Sequence, residues 1–381
     1  MNFDKLRDFL DFYLPMLGVP GSDTVIYQDH EEIFRHRSGY DNLSARTKVR
    51  DDAIYNIYSC TKVATCVAAM QLVERGEMLV SDPVHVYFPE YKNLTVERVG
   101  ADGVRYVEKA SKPMLIKHLF TMTSGLDYNI KRPAIERIKA NTLGRCSTLD
   151  IVRALPSDPL AFEPGERYCY GLSHDVLGGL VELISGLPLG EYMKKNIFDP
   201  LGMKDTTFKI SQENYGRIAS QYTYDVVGRC AIEIPKDNND FRFGSDYECG
   251  GAGILSTVSD YILLMDALAN GGVGKNGNRI LSSSSVDLLR SSILTPEQNE
   301  SYAQAHHAGY EYCYGVRCMK DPAVAGSLAP VGSFGWDGAR MCYAHSDPKN
   351  RIAIFHAEHI DSMNPIVLPR LINVIYSCID D

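Results

Sequence analysis

Ser59 and Lys62 stand three positions apart in Tyr58-Ser59-Cys60-Thr61-Lys62, followed at once by the apolar run Val63-Ala64-Thr65-Cys66-Val67-Ala68-Ala69-Met70. Side chains three apart on a helix share a face and come within hydrogen-bond reach. A serine hydroxyl is a poor nucleophile at neutral pH until a neighbour takes its proton. A lysine at an apolar helix start is suited to that task, because burial and the positive end of the helix dipole both disfavour its ammonium. The Ser59 N–H at the same helix start offers one donor to a developing oxyanion. The pattern is that of acyl transfer through a covalent serine ester.

A second S-x-x-K, Ser346-Asp347-Pro348-Lys349, contains Asp-Pro and reads as a turn between two strands, so a structural role is expected there. Serine more often pairs with histidine, but the chain has no G-x-S-x-G elbow, and His306-His307 and His345 fall outside any acid-His-Ser pattern. His174 is expected on a helix surface. The ten cysteines are dispersed without Cys-x-x-Cys or Cys/His ligand spacing, which predicts reduced thiols and no metal. Cys60, beside Ser59, could sense oxidants; nothing near it in sequence activates the thiol, so a buried apolar role is preferred.

The elements that must position this pair can be read from periodicity. Phe3, Leu6, Leu10 and Tyr13 recur at helical spacing and open the chain with an amphipathic helix. Thr24 to Gln28 and Glu32 to His36 read as a hairpin, and Ala53 to Tyr58 as a strand or extended lead into Ser59. Ile116 to Met122 predicts a short helix that closes at Ser124-Gly125. From there to about Gly244 helical signals broken by turns predominate. Gly250-Gly251-Ala252-Gly253, before a helix at Tyr261 to Leu268, predicts close backbone approach; the chain has no P-loop ending there. Strands return at Tyr314 to Met319, Arg340 to His345 and Arg351 to Ala357, and Leu368, Leu371, Ile372 and Ile375 mark a closing helix.

These signals predict an α/β (α+β) fold with one antiparallel sheet built from both chain ends and flanked by helices. A single hydrolase domain is expected over 1–381, its α/β part at about 1–75 and 245–381 and a mostly helical part inserted at about 76–244. With 48 acidic and 39 basic residues the chain carries a formal charge of -9 and has no basic run, which argues against nucleic acid as a partner. The N-terminus carries charges throughout and lacks an apolar core, and apolar runs elsewhere are too short to span a bilayer, so a cytoplasmic protein without membrane partners is expected.

The order of motifs resembles the serine β-lactamase and penicillin-binding-protein superfamily, and within it the class C β-lactamases and family VIII carboxylesterases. The matching stretches are Tyr58 to Lys62, His118 to Leu126, Pro164-Gly165-Glu166-Arg167-Tyr168-Cys169-Tyr170, Asp199 to Met203, Gly250 to Thr257 and Phe334-Gly335-Trp336-Asp337-Gly338. The resemblance implies that Tyr170, rather than Tyr168, shares the general-base role with Lys62 and later activates the deacylating water. It also implies that Trp336-Asp337-Gly338 stands where a β-lactamase carries Lys-Thr-Gly. There Gly338 would let substrate approach the strand, and the Ala339 N–H would be the second oxyanion donor beside that of Ser59. Trp336, the chain's only tryptophan, either lines the substrate site or packs in the core.

Two departures bear on substrate. Leu172 stands where the class C motif has an asparagine that binds an amide side chain, and the third motif lacks its carboxylate-holding lysine. With nucleophile, base and oxyanion donors kept and polar anchors replaced by Leu172 and Trp336, the expected reaction is hydrolysis of small esters with apolar or uncharged acyl groups, without cofactor. A β-lactamase or D-alanyl-D-alanine carboxypeptidase acting on an amide, an acyltransferase, and a non-catalytic binding module remain as alternatives.

Overall fold

The computed structural model describes residues 1–305 and 308–379, so the His306-His307 pair lies outside the described residues. In chain order the strands are β1 (Gly21–Gln28), β2 (Glu31–Asn42), β3 (Thr47–Lys48), β4 (Ile54–Asn56), β5 (Thr95–Val99), β6 (Arg105–Lys109), β7 (Gln221–Asp225), β8 (Cys230–Ile234), β9 (Leu255–Thr257), β10 (Tyr310–Tyr312), β11 (Arg317–Met319), β12 (Phe334–Gly338), β13 (Cys342–Asp347) and β14 (Ile352–Ala357). Eight of them form one antiparallel sheet in the order β10-β11-β12-β13-β14-β1-β2-β3. The two ends of the chain meet at its centre, where Asp23 to Gln28 pair with Ala357 to Ile352.

Alternation along the strands sends side chains to two cores. From β13 and β14, Ala344, Ala353 and Phe355 join the larger core, and Tyr343, Ile352 and Ile354 face the other way. That second face is covered by the N-terminal helix, through Leu6, Leu10 and Leu14, and by the C-terminal helix (Asn364–Ile379), through Val367, Leu371 and Ile375. The N-terminal helix runs from Asp4–Asp8 through a π-helical turn at Phe9–Tyr13. The larger core is organised around the helix that follows Ser59 (Thr61–Glu74), in which every residue from Thr61 to Leu72 is buried. A helix buried all round needs no apolar stripe. Ala64, Ala68 and Ala69 let its neighbours approach closely, among them the helix Ser173–Ser185 and the helix Ser283–Leu289.

The structure differs from the sequence reading in three places. The middle of the chain holds two hairpins, β5–β6 and β7–β8, among its helices. β6 is exposed along its whole length and β8 has no fully buried residue, so these hairpins lack the alternation that marks a half-buried strand. The single strand read at Tyr314 to Met319 is instead the end of the hairpin β10–β11, broken at Gly315, where φ is +90° and a Cβ would stand 2.1 Å from the Cys66 sulfur. His174 is not on a helix surface but fully buried, its Nε2 3.2 Å from the Phe120 carbonyl oxygen. Burial and the nearby Lys62 push its pKa down to about 3.

Candidate active site

Ser59 sits in a single 3-10 turn, Tyr58–Cys60, between β4 and its helix. β4 is pinned by β9, Ile54 to Asn56 pairing with Thr257 to Leu255, and the Ile57 N–H donates to the Ile254 carbonyl at 3.1 Å. The turn is tight: Tyr58 has φ +44°, a left-handed backbone that crowds a side chain and persists only where surroundings hold it. They do. The Tyr58 hydroxyl donates to Gln221 Oε1 at 2.5 Å and accepts from Arg340 Nε at 3.0 Å. Beyond the turn, the Tyr261 hydroxyl donates to the Cys60 carbonyl at 2.6 Å.

Lys62 is fully buried, and burying an ammonium is costly unless its donors are met. Three acceptors surround Nζ: the Gly251 carbonyl at 2.7 Å, Ser59 Oγ at 3.3 Å and the Tyr128 hydroxyl at 3.3 Å. Nζ also lies 4.6 Å from the centre of the Tyr170 ring. Nζ also hydrogen-bonds the Tyr128 hydroxyl, a second phenol at the site that the sequence reading did not single out. Burial, with Tyr170 and Asp175 close by, holds Tyr128 well above the usual phenol range, so it remains a neutral hydroxyl. No spacing rule points to Tyr128 in the sequence, because it lies on an irregular segment after Leu126.

A cavity of about 330 Å³ opens beside Ser59, walled by Tyr170, Arg317, Trp336, Asp337, Ala339 and Asn364 among others. Trp336 Nε1 donates to the Tyr170 hydroxyl at 3.1 Å, and the two rings stack with centres 5.5 Å apart. Ala339 lies in the turn between β12 and β13, and among the described residues its N–H donates to no protein acceptor. Charge enters the wall as a pair: Arg317 donates to one oxygen of Asp337 at 2.9 Å, and Asn364 Nδ2 to the other at 2.8 Å. No motif in the sequence marks Arg317, on the neighbouring strand β11, or Asn364, at the start of the C-terminal helix.

Ser59, Tyr170, Trp336 and Ala339 thus share one cavity, with Lys62 behind Ser59. Leu172 does not join them. It is 1% exposed and stands at the start of the helix Ser173–Ser185, packed in the larger core. Gly171 accounts for this, since a Cβ there would lie 2.3 Å from the Leu126 carbonyl oxygen; the chain is pressed against its neighbour and turns inward. Gly338 also serves a different contact from the one foreseen. A Cβ on it would meet the Ile57 carbonyl at 2.4 Å, so the glycine lets β12 close on the serine turn. Cys60 is buried, its Sγ 3.5 Å from the Cys342 carbonyl, and burial raises its thiol well above the ordinary range. In the second S-x-x-K, Ser346 is buried in β13 and donates to the Met265 carbonyl at 2.7 Å, a structural contact.

A family model described as Beta-lactamase matches residues 6–364. The chain belongs to the beta-lactamase family. Family members are serine hydrolases or acyltransferases. The chain is 29% identical over 384 residues to Protein Rv1367c of Mycobacterium tuberculosis, covering 96% of this chain and 92% of that one. Esterase EstB of Burkholderia gladioli is 29% identical over 366 residues, with 90% of this chain and 86% of EstB covered. Among solved structures, "EstCE1, a hydrolase with promiscuous acyltransferase activity" superposes with a TM-score of 0.79 at 21% identity, over 99% of this chain and 98% of its own. Among the described residues of this beta-lactamase family member, no helix is long and apolar enough to cross a membrane, and no cluster of His, Cys, Asp or Glu fits a metal ion.

Proposed function

We propose that this protein is a carboxylesterase that forms an acyl-enzyme on Ser59 from small esters with apolar or uncharged acyl groups. The observation that carries the reading is Lys62 Nζ, 3.3 Å from Ser59 Oγ, at the foot of a cavity that Ala339, Tyr170 and Trp336 also line. Ser59 Oγ attacks the ester carbonyl carbon and its proton passes to Lys62 Nζ, which acts as the neutral amine; the oxyanion is held by the N–H groups of Ser59 and Ala339. The tetrahedral intermediate collapses, the ester C–O bond breaks, and the proton goes through Lys62 and Tyr170 to the leaving alkoxide. Water then attacks the acyl carbon and gives its proton to the same pair; the acyl C–Oγ bond breaks, the proton returns to Ser59 Oγ, and the acid leaves. Tyr128, a neutral phenol, holds Lys62 in place.

Aromatic and apolar wall residues favour an uncharged acyl group, and the Arg317–Asp337 pair brings no net charge. The relative named Esterase EstB supports ester hydrolysis. The promiscuous acyltransferase activity of EstCE1 supports a second reading, in which an alcohol instead of water accepts the acyl group.

Intact-mass labelling with a fluorophosphonate, with hydrolysis of p-nitrophenyl esters and of nitrocefin, tests the proposal. One adduct is expected on the wild type and none on Ser59→Ala, with at least a ~10³-fold loss of ester turnover. Turnover of nitrocefin in preference to esters would overturn the ester reading. Ester product growing at the expense of acid as an alcohol is added would favour the transferase.

A further inference from the structure

The glycines at 250, 251 and 253 and the buried carboxylate of Asp175 are not used by the chemistry above. Asp175 lies in the first turn of the helix Ser173–Ser185 and is 1% exposed. One of its oxygens, Oδ1, accepts from the Tyr247 hydroxyl at 2.5 Å and from the Cys249 thiol at 3.0 Å. The other, Oδ2, is buried without a hydrogen-bond partner. A carboxylate in that state is costly unless a positive charge faces it.

Such a charge stands across Gly251. A Cβ built on this residue would lie 2.8 Å from Asp175 Oδ2 and 3.4 Å from Lys62 Nζ, so the missing side chain leaves the carboxyl and the amine on either side of one small gap. The backbone is drawn into place around the gap. Gly250 has no room for a Cβ, which would meet the His174 carbonyl at 2.5 Å, and its own carbonyl accepts from Thr65 Oγ1 at 2.7 Å. The Gly251 carbonyl is the nearest acceptor of Lys62 Nζ. The glycine stretch therefore brings a lysine on one helix and an aspartate on another to one point without an intervening side chain.

We propose that Asp175 is the positioning residue for Lys62: its unpartnered oxygen, acting across the gap at Gly251, sets how firmly Lys62 holds its proton and keeps Nζ aimed at Ser59 Oγ. The proposal rests on the reading of Ser59 and Lys62 as nucleophile and base. The other groups facing this pair are hydroxyls and thiols, Tyr128, Tyr170, Tyr247, Cys66 and Cys249, and the imidazole of His174, which burial keeps neutral. Tyr128, Tyr247, Cys66 and Cys249 are all held on the neutral side by burial. Asp175 is thus the carboxyl group set across the gap from Lys62. A carboxylate that favours the ammonium helps the lysine keep the proton it takes from Ser59 until the leaving group needs it.

The test follows Lys62 directly. In protein labelled with 13Cε-lysine, the Lys62 resonance, assigned by its absence in Lys62→Arg, is titrated in the wild type and in Asp175→Asn. Removing the negative charge is expected to lower the Lys62 midpoint by about 1 pH unit, the low end of what a close opposite charge produces. The acid limb of fluorophosphonate labelling is expected to move down with it. Unchanged midpoints would overturn the proposal. Gly251→Ala keeps both charges and fills the gap, and serves if Asp175→Asn does not fold; a smaller shift in the same direction is expected, and an unmoved midpoint there also overturns the proposal. A shifted midpoint in a protein that takes no label would strike the hydrolase reading and uphold the pairing.

Discussion

Single side chains decide what this cavity accepts and how fast. Tyr128 supplies one of the three hydrogen-bond partners of Lys62 Nζ, so Tyr128→Phe leaves a buried polar group unmet next to the nucleophile. A ~10- to 100-fold fall in kcat is expected, with KM little changed, measurable on p-nitrophenyl esters. Asp337 acts on selectivity instead. It neutralises Arg317, and Asp337→Asn would turn that wall of the cavity positive. The KM for an ester whose acyl group carries a carboxylate is expected to fall about tenfold relative to a neutral ester, equivalent to ~1.4 kcal/mol. A parallel fall for both esters would mean that Asp337 only shapes the wall. Of these residues, Ser59, Lys62 and Tyr170 were legible in the sequence because motif and spacing mark them. Tyr128, Arg317 and Asn364 were not, since nothing local distinguishes a tyrosine among 23, or an arginine and an asparagine brought in from elsewhere in the chain.

At the scale of elements, the cavity depends on β12 pressing against the serine turn. Gly338 lies against the Ile57 carbonyl, and a Cβ on Gly335 would stand 1.9 Å from the Ala344 carbonyl, so this strand is built around two glycines that admit no side chain. Gly338→Ala is expected to cost about 2 kcal/mol of stability, as overpacking does, and to lower kcat by separating Ala339 from Ser59. Thermal unfolding and ester kinetics on the same variant check both effects. The Trp-x-Gly pattern was readable, but its reason was not, because the partner of Gly338 is a backbone atom of Ile57, far away in sequence. The same limit explains Leu172 and His174. The sequence shows only that helical signals predominate around residue 173, and the serine helix and the glycine stretch, which bury the first turns of the helix Ser173–Ser185, appear only in three dimensions. The hairpins β5–β6 and β7–β8 escaped notice for the opposite reason: they bury too little to leave a pattern.

Across the whole molecule, the sheet carries a buried charge that makes stability depend on pH. Asp23, on β1 beside β14, is held by Arg35 at 2.6 Å, yet Oδ1 has no partner, and burial raises its carboxyl from 3.8 to about 6. A carboxyl with a higher pKa folded than unfolded adds stability when protonated, fully present below about pH 4 and lost as pH rises through about 6. Its share of the stability is therefore expected to fall by about 3 kcal/mol across that window. Asp23→Asn, which keeps an acceptor for Arg35, is expected to remove this fall, so that denaturant unfolding of the two proteins diverges between pH 4 and 6. Equal pH dependence would rule Asp23 out as the source.

The pairing of β1 with β14 also has a consequence for how the protein is made. On the ribosome, the strand that begins at Gly21 has no central partner until the chain has grown past Ala357, so the sheet cannot close until more than three hundred further residues have been made. Until then β1 can hold only its hairpin with β2, and one edge of that hairpin stays open to other chains. Slow translation of the last strands would lengthen this exposure, whereas a chain stopped short of β14 would leave the sheet unjoined with every residue of the serine, lysine and tyrosine motifs already made.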